Sequence, residues 1–225
     1  MEPILELERV SFSYQNKYQT VSAVRNVNVS FLEGTLYAII GKSGSGKTTL
    51  LSIMAGLALP TRGHVRYMGT ATDEVDLDKY RRENVAVIYQ SFNLFPLMTC
   101  LENVCYPMEL RGSSPKEAAA AASEYIAKVS LPESVHRRFP NMISGGEQQR
   151  IAIARALTSG ARVILADEPT GNLDVANGEM VVKILSDLAH NEGYTVILVT
   201  HDVSIVEDAD VVYQMSDGQL ELLEK

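Results

Sequence analysis

The chain has 225 residues, enough for one large domain or one domain with an inserted lobe, and its 46% hydrophobic content supplies an ordinary globular core. A net charge of −8 argues against nucleic acid as a partner, because a polyanion selects basic surfaces. Two cysteines are too few for a disulfide framework, and no apolar run reaches the roughly 20 residues that cross a bilayer. The N-terminus lacks a basic flank followed by an apolar segment, so no secretory leader is expected. Cys100 and Cys105 then read as plain thiols in a reducing cytoplasm.

Residues 4–14 and 21–33 alternate with period two, through Leu5, Leu7, Val10 and Phe12 and then Val24, Val27, Val29 and Phe31. That pattern predicts two antiparallel strands joined by a polar turn at 16–20. Tyr14 closes the first run, an aromatic that either packs on the sheet edge or stacks on a flat ring. Residues 36–40 are continuously apolar and predict a buried strand, which breaks at Gly41. A helix resumes at Lys47, and between them stands GKSGSGKT, the G-x-x-x-x-G-K-T phosphate-loop pattern at 41–48. Gly41, Gly44 and Gly46, with Ser43 and Ser45 between them, let the backbone curl until its N–H groups face one concavity. The helix that follows adds its positive end. Lys47 is predicted to reach the β- and γ-phosphates, the Thr48 hydroxyl to ligate Mg²⁺, and Thr49 to follow in the same binding set.

Residues 60–63 read as a turn, 64–68 as a short strand and 73–83 as a charged, solvated helix. Residues 85–89 are a second buried strand ending at Gln90, which is either a polar terminus or a Mg²⁺ or water contact. The composition then changes. Phe92, Leu94, Phe95, Leu97 and Met98 crowd a proline-containing stretch without alternation, which suits a lobe core or an exposed partner-binding surface. Ser114 and Glu117 with Pro115 form a capping box, opening a helix with Ala118, Ala121, Ala122, Tyr125, Ile126 and Val129 on one stripe. Residues 91–143 are therefore expected to be a helical lobe inserted into an α/β core.

ISGGEQQR at 143–150 holds a second capping box, Ser144 with Glu147, opening a helix to about 158. Gly145 and Gly146 weaken that first turn and cap nothing, which makes sense where an anion approaches the backbone closely. Arg150 and Arg155 are expected to pair with nearby carboxylates. Residues 162–168 form a third buried strand ending in two acids. Asp167 suits a Mg²⁺ contact through water, and Glu168 can polarise a water for attack on a γ-phosphate; a surface acidic pair is the alternative. A turn at 169–174 ends in Asp174, and a helix over 180–190 with Val181, Ile184, Leu185 and Leu188 on one stripe stops at Gly193. Residues 195–200 are a fourth buried strand with His201 at its C-terminal end, where open α/β sheets bind ligands, so it can hydrogen-bond a γ-phosphate. His64, His136 and His190 have no such setting. The tail from 210 is expected to be an edge hairpin turning at Asp217-Gly218. Strand ends thus bring the loop, Gln90, Asp167, Glu168 and His201 to one crevice, and the Ser144 helix start is left without a place in it.

The ordered set of Tyr14, the loop at 41–48, Gln90, the run at 143–147, the Asp167–Glu168 strand, Asp174 and His201 resembles the nucleotide-binding subunit of an ATP-binding-cassette (ABC) transporter. The likeness extends over essentially the whole chain, with Ile143 and Glu147 where the family pattern has Leu and Gln. The resemblance implies a P-loop NTPase fold: a mostly parallel α/β sheet core with an N-terminal antiparallel β subdomain and an inserted helical lobe. It implies ATP and Mg²⁺ as ligands and a head-to-tail homodimer, in which Ser144, Gly145, Gly146 and Glu147 of one copy cover the nucleotide of the other. It assigns Tyr14 to adenine stacking, Gln90 to sensing Mg²⁺ and the membrane partner, Glu168 to general base, His201 to transition-state stabilisation and Asp174 to communication across the dimer. QSFNLFP at 90–96, LENV at 101–104 and DEPTGNLD at 167–174 resemble the branch of macrolide exporters, lipoprotein-release systems, antimicrobial-peptide resistance transporters and the cell-division ABC complex. That branch implies a chain at the inner face of the cell membrane driving a separate integral permease. A periplasmic or extracellular adaptor is then a further partner through the permease, and no nucleic acid is expected. The chain lacks the coiled-coil, zinc or duplicated-cassette insertions of soluble ABC ATPases in DNA repair or translation.

Overall fold

The computed structural model describes residues 2–15, 19–202, 205 and 207–223. The N-terminal alternation becomes β1 (Leu5–Gln15) and β2 (Thr20–Phe31), paired antiparallel, with β4 (Arg62–Tyr67) and β5 (Thr70–Ala71) completing a sheet of order β2-β1-β4-β5. Of the turn expected at 16–20, residues 16–18 lie outside the described residues. The apolar runs become β3 (Leu36–Ile40), β6 (Val85–Tyr89), β7 (Val163–Asp167) and β8 (Thr195–Thr200). With β9 (Val211–Ser216) and β10 (Gln219–Leu223) they form a sheet of order β10-β9-β3-β8-β7-β6, parallel except for β10 against β9. The tail hairpin turns at Asp217-Gly218 as expected. Its first strand, however, is no edge: β9 lies inside the sheet beside β3, and β10 alone closes it.

Both faces of the parallel strands are covered, so they read as unbroken hydrophobic runs. Leu36, Ala38 and Ile40 face a core shared with the helical segments, while Tyr37 and Ile39 face a second core under the antiparallel sheet. Helix α1 (Lys47–Met54) fills that second core with Leu50, Leu51, Ile53 and Met54. The charged stretch at 73–83 is largely exposed, as its composition implies, with Tyr80 buried, but it is not one helix. It splits into a 3-10 turn, Thr72–Glu74, and α2 (Leu77–Glu83), whose N-cap Asp76 accepts from Asp78 and Lys79. Buried Tyr80 anchors α2 through a hydroxyl donated to the Met54 carbonyl at 2.7 Å.

The helical segment holds α3 (Cys100–Leu110) and α4 (Pro115–Lys128), which pack on each other and on α5 (Gly145–Leu157). Helix α3 has no counterpart among the predicted elements. Pro107 inside it obscures the pattern, although Thr99 and Glu102 form a capping box of the same kind as those that open α4 and α5. Cys100 and Cys105 are free and buried on α3, where burial pushes both thiols up to about 11. The buried Asn103 amide donates to the carbonyls of Phe95, Met98 and Thr99 and accepts from the Phe95 N–H at 2.8 Å, pinning the loop before the helix. Asn103→Ala strands these groups and is expected to cost about 2–3 kcal/mol, read as a lowered urea midpoint at unchanged m-value.

The ion pairs expected of Arg150 and Arg155 are not formed among the described residues, although the Arg150 charge, after the Ser144 hydrogen bonds, helps to lower the Glu147 pKa. Arg150 donates to the carbonyls of Ser130 and Gly146, and Arg155 to those of Phe92 and Asn93. Phe92 and Asn93 both have left-handed backbones, and their carbonyls accept from the half-buried Arg155 guanidinium, which fastens the segment after Gln90. Helix α6 (Val175–Glu192) starts earlier than the stripe alone indicates because Asp174 caps it, and Gly193 at φ 73° ends it.

Candidate active site

The C-terminal ends of β3, β8, β7 and β6 are neighbours in the parallel sheet, and the residues that leave those ends meet at one crevice. Its cavity of about 790 Å³ is lined by the glycine loop together with Tyr14, Gln90, Glu168 and His201. The loop is held by its surroundings. A Cβ on Gly46, at φ 109°, would lie 2.2 Å from the Ala23 carbonyl of β2, and one on Gly41 would lie 2.4 Å from the Met215 carbonyl of β9. Only glycine passes between those walls. The tail hairpin braces the same loop, the Gly218 N–H donating to the Ser45 carbonyl at 3.0 Å.

Lys47 is buried, its ammonium donating to the carbonyls of Gly41 at 2.8 Å and Lys42 at 3.2 Å, and standing 3.9 Å from a Glu168 carboxylate oxygen. The Thr48 hydroxyl donates to Asp167 at 3.1 Å. Burial raises the Asp167 pKa, and the Thr48 hydrogen bond partly offsets it. Among the described residues no cluster of three or more His, Cys, Asp or Glu side chains is built to hold a metal by itself. Thr48 and Asp167 nonetheless juxtapose two hard oxygen donors beside a phosphate-sized cradle. That fits Mg²⁺, which keeps most of its shell for water and phosphate oxygens.

Glu168 sits at φ 47°, a left-handed backbone that costs an L residue on the order of 1 kcal/mol, and it turns away from Asp167. One carboxylate oxygen accepts from the Thr200 hydroxyl at 3.2 Å and the His201 N–H at 3.3 Å, and meets His201 Nδ1 at 2.8 Å. Gln90 is clamped to the turn after β7: its amide donates to Asn172, and the Asn172 amide donates back to the Gln90 carbonyl at 2.9 Å. Tyr14 remains 54% exposed, touches Phe12 edge to face and places its hydroxyl 3.2 Å from that of Thr49.

Ser144, Gly145, Gly146 and Glu147 do not line this cavity. Ser144 and Glu147 cap α5 reciprocally, the Glu147 carboxylate accepting from the Ser144 N–H and hydroxyl at 2.8 Å each. The two glycines differ. A Cβ on Gly146 would strike the Asn177 amide oxygen at 2.2 Å, so an intrachain neighbour already requires that glycine. A Cβ on Gly145 would meet nothing nearer than 3.6 Å, so its small size has no intrachain reason. Asp174 caps α6 and, with Glu168 and His201, lines a separate cavity of about 850 Å³. Sequence reasoning missed Arg25, Ser22, Ala23, Asp217 and Gly218, which reach the loop cavity from β2 and the tail hairpin. No local signal marks them, because strand pairing alone brings them there.

Residues 24–171 match the family model described as ABC transporter, 148 of 225 positions. The chain belongs to the ABC transporter family. It is an ATP-binding, ATP-hydrolysing cassette with the family's mixed α/β core, antiparallel β subdomain and helical segments. It is 39% identical over 221 residues to the uncharacterized ABC transporter ATP-binding protein YclH of Bacillus subtilis strain 168, covering 98% of this chain and 97% of that one. It is equally 39% identical over 220 residues to the macrolide export ATP-binding/permease protein MacB of Mannheimia succiniciproducens, covering 96% of this chain but only 34% of MacB. Among solved structures it resembles the dimeric MJ0796 ABC transporter cassette of Methanocaldococcus jannaschii, with a TM-score of 0.89, 37% identity and coverage of 98% and 99%. A second MJ0796 dimer, a post-hydrolysis state bound to ADP and Pi, matches with the same TM-score at 38% identity.

Proposed function

We propose that this ABC ATPase drives a separate integral membrane permease from the inner face of the membrane, pairing with a second copy of itself around ATP. The observation that carries the reading is the split between cradle and lid. The loop cavity lacks the Ser144–Glu147 segment of its own chain, and half-buried Gly145 stands in the first turn of α5, the end of a helix that favours a phosphate, with no tight intrachain contact to explain its size. The dimeric MJ0796 structures support a twin as the source of the missing wall.

In this reading Tyr14 and Thr49 hold the base end of ATP, and Ser43, Gly44, Ser45, Gly46 and Lys47 bind its phosphates by backbone N–H groups and one ammonium. Thr48 and Asp167 would hold Mg²⁺, and Gln90, which lines the same cavity as Thr48, would sense it. When bound, Mg²⁺ neutralises charge on the phosphate oxygens. Glu168, freed from Lys47, accepts a proton from the attacking water, and His201 keeps its carboxylate aimed while offering a donor toward the γ-phosphate. Asp174 stands where the turn after Glu168 enters α6, able to pass closure from one copy to the other.

In this proposal the permease docks at a cleft of about 400 Å³ between α2, β6 and α3, lined by Leu57, Phe95, Tyr106 and Leu110. Leu97, 90% exposed, stands on the loop that Asn103 pins beside it. Likeness to MacB supports the exporter branch, with efflux of antibiotics or antimicrobial peptides, or transmission of force without substrate crossing; lipoprotein release and cell-division regulation are the alternative members. Affinity purification from detergent-solubilised membranes is expected to bring down a polytopic permease with the wild type. Leu97→Asp should lose at least 90% of that capture while keeping its ATPase rate within about twofold, since exposed substitutions rarely disturb a fold. Recovery of ribosomes or DNA in place of a permease would overturn the proposal.

A further inference from the structure

We infer that Arg25 is a nucleotide-binding residue whose guanidinium contacts the phosphate chain from the β2 wall of the cavity. This rests on the loop cavity being the ATP site. Arg25 lines that cavity with the glycine loop. Its backbone is set against the loop through the tail hairpin: the Arg25 N–H donates to the Gly218 carbonyl at 2.7 Å, and the Gly218 N–H donates to the Ser45 carbonyl at 3.0 Å. The side-chain stem lies against Gly218, where an added Cβ would come 3.2 Å from Arg25 Cγ. The residue is therefore fixed at its base and free at its tip.

Charge singles it out. Apart from His201, the cations lining the cavity are Lys47 and Arg25. The Lys47 ammonium is engaged by two loop carbonyls and lies near Glu168. The exposed Arg25 guanidinium has no ion pair or hydrogen bond among the described residues, Asp217 on the same rim included. An exposed arginine usually needs no explanation. Here it faces a site for a polyanion in a chain of net charge −8, where the surrounding field repels that ligand. A guanidinium also presents paired donors in the fork geometry that phosphate oxygens accept.

Binding of ADP and of inorganic tripolyphosphate, with Mg²⁺, to the full chain tests this for wild type, Arg25→Ala and Arg25→Lys at low and raised salt. Arg25→Ala is expected to weaken both probes about fivefold at low salt, with the gap closing as salt screens it, and Arg25→Lys to restore most of the affinity. Unchanged affinity in Arg25→Ala would overturn the inference. So would a loss for ADP without one for tripolyphosphate, which would make Arg25 a wall for the base or ribose. If Arg25→Ala melts lower than wild type, Arg25→Gln replaces it, keeping the stem against Gly218, with the same two outcomes. Failure of the wild type to bind either probe would instead sink the assignment of the cavity itself.

Discussion

Glu168→Gln is expected to slow ATP turnover at least 100-fold while leaving ATP bound, as measured by phosphate release and by nucleotide retained after gel filtration. General-base catalysis is worth about 10²–10⁴, and an amide cannot take the proton from water. The substitution keeps the shape of the side chain and an oxygen able to accept from Thr200 and the His201 backbone. It also removes a negative charge 3.9 Å from the Lys47 ammonium, in a pocket that has to receive phosphates. Binding should therefore hold or tighten. With turnover blocked, ATP should accumulate a dimer visible by sedimentation, through the mass-action link between ligand and assembly. Hydrolysis at the wild-type rate would remove Glu168 as the base. A chain that stays monomeric at saturating ATP would remove the pairing instead.

Gly145→Asp is expected to abolish ATP-dependent pairing and lower turnover by two orders of magnitude or more, with nucleotide affinity of the single copy unchanged within about twofold. The position separates lid from cradle because it belongs to neither the loop cavity nor a tight intrachain contact. A side chain there meets ordinary contacts at 3.6 Å or more, and an acid in the first turn of a helix is favoured by the helix dipole. Melting temperature should hold. A phosphate arriving from the twin's cradle would meet a negative charge where the backbone N–H groups should be. Ser144 is a poorer probe, since its replacement also breaks the capping box with Glu147 and costs about 1 kcal/mol of α5. Gly146 is poorer still, because Asn177 already fills the space its Cβ would need. If Gly145→Asp loses nucleotide binding in the monomer, the segment serves its own cradle and the trans arrangement is wrong.

The residues of the crevice were legible because its parts are local. GKSGSGKT places its functional atoms within one turn, and a buried parallel strand delivers the residue after it to a known end of the sheet whatever its neighbours are. Gln90, Asp167, Glu168 and His201 could thus be located one by one. Less legible was whatever depends on where backbones that are distant in sequence pass each other. The helix at Cys100–Leu110 was obscured by Pro107 despite the Thr99–Glu102 capping box, and the Asn103 bonds to the loop before it join residues whose pairing no periodicity encodes. Arg150 and Arg155 carry charges that suggest acids, yet carbonyls turned by left-handed residues received them.

The sequence by itself determined the nucleotide loop, the acids and histidine at the strand ends, the capped starts of α4 and α5 and the family, all of which rest on short-range spacing and strand or helix period. Only the tertiary structure decided that β9 runs inside the sheet, that Gly146 is small for Asn177 while Gly145 is not, and that Arg25 and the Asp217-Gly218 turn border the loop. The reason is physical: a period tells each side chain which face it takes, but strand order and the contacts between faces come from packing segments far apart in the chain, which no local pattern encodes.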